Sequence, residues 1–215
     1  YFPLERFAEN ARPKSSVHLG IAERYDLVIP AAGGPQQMAG DYLYHSGRIS
    51  HFGEGMWGLL RVRDERTPDL QPLPVREDIP TSAERLYPEG APVKTFNVSA
   101  IDLPIDLNPK APALIPTSST NRFVIAENPD GKIYVLDEEL DAVISGREAP
   151  HPLVLRVNVG DVIQVNLTNK LADGRVSFHA DQLAYDPQDS LGINVGNNEG
   201  DQTVAPGQTR TYTFY

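Results

Sequence analysis

The sequence contains no cysteine. This absence excludes disulfide bonds, a cysteine nucleophile and thiolate metal ligands from these 215 residues. Long apolar runs are also missing: no stretch of about 18 apolar residues occurs, so no transmembrane helix is expected. Basic residues are few, 19 against 29 acidic ones, which gives a formal net charge of −10. Nucleic-acid binding is therefore not expected, because neutralising phosphates requires a basic surface.

The chain also lacks the sequence motifs of several enzyme classes. It contains no Gly-x-Ser-x-Gly, no phosphate-binding glycine-rich loop, no dinucleotide-binding fingerprint and no His-Glu-x-x-His. It neither begins with methionine nor opens on a signal region, and it finishes on an alternating strand pattern with no turn after it. We therefore expect a segment of a longer protein.

Short apolar runs separated by turn residues are abundant. Forty per cent of the residues are apolar, enough to bury a core. The runs are rich in Val, Ile, Tyr and Thr and are bounded by Gly, Pro, Asn and Asp, which is typical of antiparallel β-proteins. Strands are predicted at 25–29, 41–44, 57–62, 94–100, 123–126, 132–136, 153–157, 162–167, 176–178 and 209–214. Only residues 137–145 predict a short helix, because their apolar side chains recur at helical spacing.

A proline-rich stretch divides the chain. Residues 64–92 contain six prolines and many charges, and proline cannot donate a hydrogen bond to a sheet ladder. The stretch therefore predicts a linker or a long surface connection between residues 1–63 and residues 93–215. The first part is too short for a complete β-sandwich, and the second is nearly long enough.

The segment from His45 to Met56 resembles the last copper-binding motif of multicopper oxidases. That motif runs His-Cys-His, three residues, His, three residues, Gly, then Met or Leu. His45 falls on its first histidine, His51 on its last and Met56 on the axial methionine, all at matching spacing. Ser46 stands in place of the cysteine, and Gly47 in place of the second histidine.

Residues 150–215 resemble the first half of a following domain of the same family. The stretch 155–167 is similar to the strand-turn-strand that precedes a His-x-His motif, and 205–214 is similar to a proline-glycine turn with its strand. His179 falls on the first histidine of His-x-His, and Asp181 replaces the second. The residues around 41–44 and 55–58 also resemble the large multidomain, manganese-oxidase-like branch.

The resemblance implies a cupredoxin-like Greek-key β-sandwich or barrel. Residues 1–63 would be the C-terminal half of one domain, 64–92 the linker, and 93–215 the N-terminal part of the next. The parent protein would couple one-electron oxidation of a substrate to reduction of dioxygen, with copper as cofactor, in an extracytoplasmic (secreted or periplasmic) location. Other cupredoxin domains, of the same protein or of another chain, would complete the sheets.

The copper chemistry of this segment is expected to be incomplete. A blue-copper centre needs two histidines and a cysteine thiolate beside the weak axial methionine. With Ser46 in place, His51 and Met56 are candidate ligands by position alone. The alternative is that Met56 packs in the sandwich and His51 is a hydrogen-bonded polar residue.

His45 and His179 correspond to family positions that supply a trinuclear copper cluster shared between domains. Each has lost its paired histidine, so the alternative is an interface histidine partnered by a carboxylate such as Asp181, or by a backbone carbonyl. We expect the segment alone to be inactive, to hold no copper and to act as an interdomain scaffold. The rival hypothesis is a non-catalytic cupredoxin-like structural or interaction module.

Overall fold

A computed structural model describes residues 2–3, 16–25, 27–29, 31–65, 67–68, 86–106, 114–117, 122–125 and 127–215. Most of the predicted linker, residues 69–85, lies outside this part of the chain. The strands are β1 (Phe2–Pro3), β2 (Leu27–Val28), β3 (Gly40–His45), β4 (Trp57–Val62), β5 (Val93–Asp102), β6 (Ile105–Asp106), β7 (Leu114–Thr117), β8 (Arg122–Ile125), β9 (Glu127–Asn128), β10 (Lys132–Leu136), β11 (Val162–Asn169) and β12 (Thr209–Phe214). The helices are α1 (Ile49–Gly53) and α2 (Leu140–Ile144).

In the part of the chain that the structure describes, the regular structure is almost entirely β, which confirms the all-β prediction. Each of the two helices found there has only five residues. Within the described residues, no helix combines the length and the apolarity that crossing a membrane would need.

A four-stranded sheet forms the centre of the C-terminal part, in the order β10-β5-β11-β12. Its central pair, β5 and β11, is parallel and aligns Val93 with Val162 at one end and Ala100 with Asn169 at the other. The outer pairs, β10–β5 and β11–β12, are antiparallel. In β11 the buried Ile163, Val165 and Leu167 alternate with polar residues, and this period of two places one row of side chains in the core.

The core lies on one face of this sheet. Val98, Leu167, Tyr212 and Phe214 are fully buried there, together with neighbours on β11 and in the loops that follow it. On the opposite face a smaller cluster forms where Leu140 and Val143 of α2 cover Ile101 and Val135; these four residues make up that cluster. In β11 a slip of one residue would replace the apolar row in the core with a polar one, and this difference fixes the register.

The buried Gln202 organises the loop before β12, residues 186–203. Its side chain is 0% exposed, and its Oε1 accepts the backbone N–H groups of Leu191 at 2.8 Å and Gly192 at 3.1 Å. Its Nε2 donates to the carbonyl of Pro187 at 2.7 Å. One side chain therefore pairs three backbone groups that have no strand partner, which is how an irregular segment can be buried.

Asp41 joins the β3–β4 hairpin to this loop. Its side chain is only 2% exposed and accepts hydrogen bonds from Arg61 at 2.7 and 2.8 Å, and its Oδ2 accepts the N–H of Asn197 at 2.7 Å. The backbone of Asp41 exchanges two more hydrogen bonds with the side-chain amide of Asn198. Gly196 has a φ of 53°, and a Cβ at that position would overlap the carboxylate. These five residues are called the Asp41 contact below.

The Asp41 contact should make the stability of the protein sensitive to acid. The hydrogen bonds from Arg61, followed by that from Asn197, lower the pKa of Asp41 from 3.8 to about 2. Because the folded-state pKa is the lower one, the stabilisation is complete above pH about 4 and is lost as the pH falls towards about 2. In urea unfolding over this range, the wild type should lose its advantage over Asp41→Asn. A difference that stays constant with pH would contradict this assignment.

Several strand predictions need correction. Residues 153–157 form no strand; Leu153 and Leu155 pack against the core, but their backbone joins no ladder. Of 176–178, only Val176 makes a bridge, to Val204, and the run 25–29 is reduced to β2. Ala126 and Asp26, each part of a predicted strand, lie outside the described residues. The helix at 137–145 is present as α2.

The two parts of the chain meet without a shared sheet. Among the described strands, β1–β4 pair only with one another, and none of them extends the sheet formed by β5, β10, β11 and β12. The Asp41 contact connects them instead, by hydrogen bonds between a hairpin and a loop. Completion of the sheets by further strands remains a prediction.

Candidate functional site

The motif residues lie on one turn, at the end of the β3–β4 hairpin. β3 ends at His45, the single-turn α1 follows, and β4 begins at Trp57. The backbone closes this turn: the N–H of Ser46 donates to the carbonyl of Met56 at 2.9 Å, and the N–H of Met56 donates to the carbonyl of His51 at 3.0 Å. Residues ten positions apart in the sequence are thereby held side by side.

Ser46 and His51 are in direct contact within this turn. Ser46 Oγ lies 3.2 Å from His51 Nδ1, and the N–H of Arg48 donates to the same hydroxyl at 3.3 Å. A hydroxyl both donates and accepts, so it can serve both partners at once. His51 is therefore hydrogen-bonded within this turn, and its partner is Ser46.

The side chain of His45 contacts the backbone of the next residue. Its Nδ1 lies 2.7 Å from the carbonyl oxygen of Ser46, so Nδ1 carries the proton and donates. Its ring meets Phe52 edge to face, with centroids 5.3 Å apart. A backbone carbonyl was one of the two partners expected for this histidine, and it is the one observed.

Met56 does not pack inside a sandwich, which was the alternative to its being a copper ligand. Its side chain is 57% exposed, and the nearby Trp57 and Tyr44 are 50% and 64% exposed. The physical reason is that Met56 lies in the turn at the end of a hairpin that, in the described part of the chain, is a two-stranded sheet, and it belongs to neither core cluster. The sequence pattern indicated an apolar residue without showing what would cover it.

His179 lies away from this turn, in the irregular segment between β11 and β12. Its Nε2 is 3.4 Å from Asp181 Oδ1, so the carboxylate partner expected from the sequence is present. Its ring packs edge to face on Tyr185, at 5.3 Å between centroids. Gly192 approaches from the other side, where a Cβ would lie 2.6 Å from the carbonyl oxygen of Phe178.

These donors do not fit a blue-copper ion. The thiolate position holds a hydroxyl, which stays protonated near neutral pH and is a hard, weak ligand. His45 Nδ1 is engaged by a carbonyl, and His179 has a carboxylate neighbour instead of a second imidazole. Among the described residues, no group of three or more His, Asp or Glu side chains is placed to hold a metal ion.

Sequence reasoning missed the residues that join the hairpin to the loop. Asp41 and Arg61 are direct partners in the hairpin register, so a predicted pairing of 41–44 with 57–62 contained a signal for their ion pair. No comparable signal pointed to Asn197 and Asn198, which lie more than 150 positions away. The contact of Tyr42 with Tyr185, at 6.4 Å between ring centroids, was likewise not visible in local patterns.

Comparison with known proteins adds no family assignment. No family model matches the chain, and no curated protein matches it. The motif spacing and the contacts described above are therefore the observations that bear on function.

Proposed function

We propose that this chain is a structural segment of a multicopper-oxidase-like protein, with cupredoxin-type Greek-key domains, in which a former copper loop persists as a metal-free folded turn. The observation that carries the proposal is the contact of Ser46 Oγ with His51 Nδ1 at 3.2 Å. In the resembled motif these two positions supply the cysteine and the last histidine to one copper ion. A hydrogen bond between them here supports descent from such a loop and explains how the turn holds together without metal.

The role of the segment in this proposal is interdomain packing. The parent protein would hold its copper ions elsewhere and couple one-electron oxidation of a substrate to dioxygen reduction, outside the cytoplasm. Intact Cys-His and His-x-His motifs in the rest of the protein would support this activity. The manganese-oxidase-like branch is the version of the family that residues 41–44 and 55–58 favour.

A second candidate function is a non-catalytic interaction module. The exposed Tyr44, Met56 and Trp57 on the hairpin favour it, because aromatic residues and methionine are enriched in protein interfaces. Absence of copper motifs from the rest of the protein would favour the module over the oxidase.

Copper measurements test the proposal directly. The full chain, loaded with Cu(II) and dialysed against a mild chelator, should hold well under one copper per chain and show no intense blue absorption, because that absorption arises from thiolate-to-copper charge transfer. Stoichiometric copper that survives dialysis and disappears in His45→Ala or His179→Ala would overturn the scaffold role. It would place these histidines in a catalytic centre.

Restoring the sulfur tests the origin of the turn. Since the chain has no cysteine, Ser46→Cys introduces a single thiol beside His51 and Met56. We expect this variant to gain a charge-transfer absorption with Cu(II) that is lost in Ser46→Cys/His51→Ala. Ser145→Cys, at the exposed end of α2, is the matched control with one thiol and no adjacent histidine. Equal spectra for the Ser46 and Ser145 variants would refute the copper-loop origin.

A further inference from the structure

An open cleft of about 720 Å³ lies between the segment before β3, the start of β11 and the residues that follow His179. It is separate from the turn that carries Ser46 and His51. Tyr42, Tyr185 and Tyr215 line it, and Met38 and Leu183 add apolar surface. A cleft of this size, mostly apolar with a few polar groups, is typical of sites that bind small molecules.

Backbone and side-chain hydrogen bonds position the three tyrosines. Tyr42 extends from β3 and donates its hydroxyl to the carbonyl of Met38 at 2.8 Å. Tyr215 exchanges backbone hydrogen bonds with Ala184, at 2.8 and 2.9 Å, which places its residue beside Tyr185. The rings of Tyr42 and Tyr185 have centroids 6.4 Å apart and planes inclined by 42°. The two rings therefore pack tilted against each other and do not stack in parallel.

The charge on the described lining residues is negative, and His179 adjoins the cleft through its contacts with Tyr185 and Asp181. Asp161 is the charged side chain among the described lining residues, and that lining includes no lysine, arginine or histidine. Two further carboxylates act on the tyrosines from nearby. Burial raises the pKa of Tyr185, and Asp181 raises it further; burial, Tyr185 and Asp186 likewise raise the pKa of Tyr42. The ring faces and the carboxylates would therefore attract a cation and repel an anion.

We propose that this cleft binds a small organic cation, an alkylated or aromatic ammonium compound, held by the faces of Tyr42, Tyr185 and Tyr215 and by the carboxylate of Asp161. Aromatic rings attract cations through the negative potential of their faces, and cages of this kind recognise quaternary ammonium groups. The apolar lining would receive the carbon skeleton of the ligand. This proposal does not depend on the copper-loop origin of the turn.

The test uses benzyltrimethylammonium, with benzyl alcohol as the neutral control and phenylacetate as the anionic one. Titrated into the full chain and followed by NMR, the cation should bind saturably, and its N-methyl protons should shift upfield in the ring currents of the tyrosines. Its affinity should exceed that of either control by about tenfold or more, the advantage expected from cation–π contacts with several rings. Equal affinities for the three probes, or no saturable binding of the cation, would overturn the proposal.

Substitutions of the tyrosines distinguish the contribution of the aromatic ring to the affinity from that of the hydroxyl group. Tyr185→Phe keeps the aromatic face and should change the affinity by less than about twofold, whereas Tyr185→Leu should weaken it roughly tenfold. Asp161→Asn should weaken binding severalfold and reduce its dependence on salt. If Tyr185→Leu fails to fold, Tyr215→Leu and Tyr215→Phe provide the same comparison on a second wall. Leucine variants that bind the cation as well as the wild type would contradict the cage.

Discussion

Replacing Asp41 with alanine should destabilise the protein by about 3 kcal/mol at neutral pH and free the hairpin from the loop before β12. The change removes both hydrogen bonds from Arg61 and leaves the N–H of Asn197 without its acceptor. Arg61 is 45% exposed and can be hydrated once its partner is lost, so the estimate comes from the hydrogen bonds: those to a charged group contribute about 1.5–3 kcal/mol, and the unpaired N–H of Asn197 adds to the loss. Urea unfolding measures the difference.

Two companion variants identify the cause of that loss. Asp41→Asn retains an acceptor for Asn197 but lacks the charge, so it should lose less stability than alanine. Glu138→Ala removes a carboxylate from an exposed position and should change stability by less than about 0.5 kcal/mol. Hydrogen exchange at the Asn197 amide should accelerate in Asp41→Ala alone. A loss below about 0.5 kcal/mol in Asp41→Ala would show that the contact contributes little.

Replacing Gln202 with leucine should cost about 3 to 4 kcal/mol, although the two side chains are similar in size. Leucine leaves the N–H groups of Leu191 and Gly192 and the carbonyl of Pro187 unpaired, in a position that is 0% exposed. Each unsatisfied buried polar group costs about 1–3 kcal/mol, and partial rearrangement of the loop limits the total. The hydrogen bond from Tyr212 to the carbonyl of Gln202 is unaffected, because it involves the backbone.

The matched control for this variant is Gln208→Leu. Gln208 lies exposed in the turn that precedes β12, so the same substitution should change stability by less than about 0.5 kcal/mol. Thermal and urea unfolding report both variants. Similar losses at positions 202 and 208 would mean that the change in composition, and not the buried hydrogen bonds, determines the effect.

Short apolar runs that follow turn residues made some strands predictable to the residue. Residues 57–62, 132–136 and 209–214 form strands with the predicted limits, because each run is rich in residues that favour strands and follows a turn. The same signal failed at 153–157. Leu153 and Leu155 are directed to the core, yet their backbone joins no ladder in the described structure. Alternation records burial on one side, whereas ladder pairing depends on a partner strand that local sequence does not specify.

The candidate site was predictable in its local part only. Motif spacing placed Ser46 near His51 because both belong to one turn of a hairpin. The Asp41 contact and the tyrosine-lined cleft each combine residues from opposite ends of the chain. Such sites arise from how distant segments dock, and a single sequence contains no periodicity that reports this docking.

The parallel pairing of β5 with β11 has a consequence for the rate of folding. Thr95 and Gln164, which face each other across this pair, are 69 positions apart in the chain, and Asp41 is 157 positions from Asn198. Closing such long loops costs entropy before any contact forms, so topologies of this kind fold slowly. We expect the antiparallel pairs β10–β5 and β11–β12 to form first and the parallel junction later. During synthesis on the ribosome, the β3–β4 hairpin emerges long before residues 186–203, the loop that it contacts in the folded protein. The exposed apolar side chains of the hairpin would then be available to chaperones.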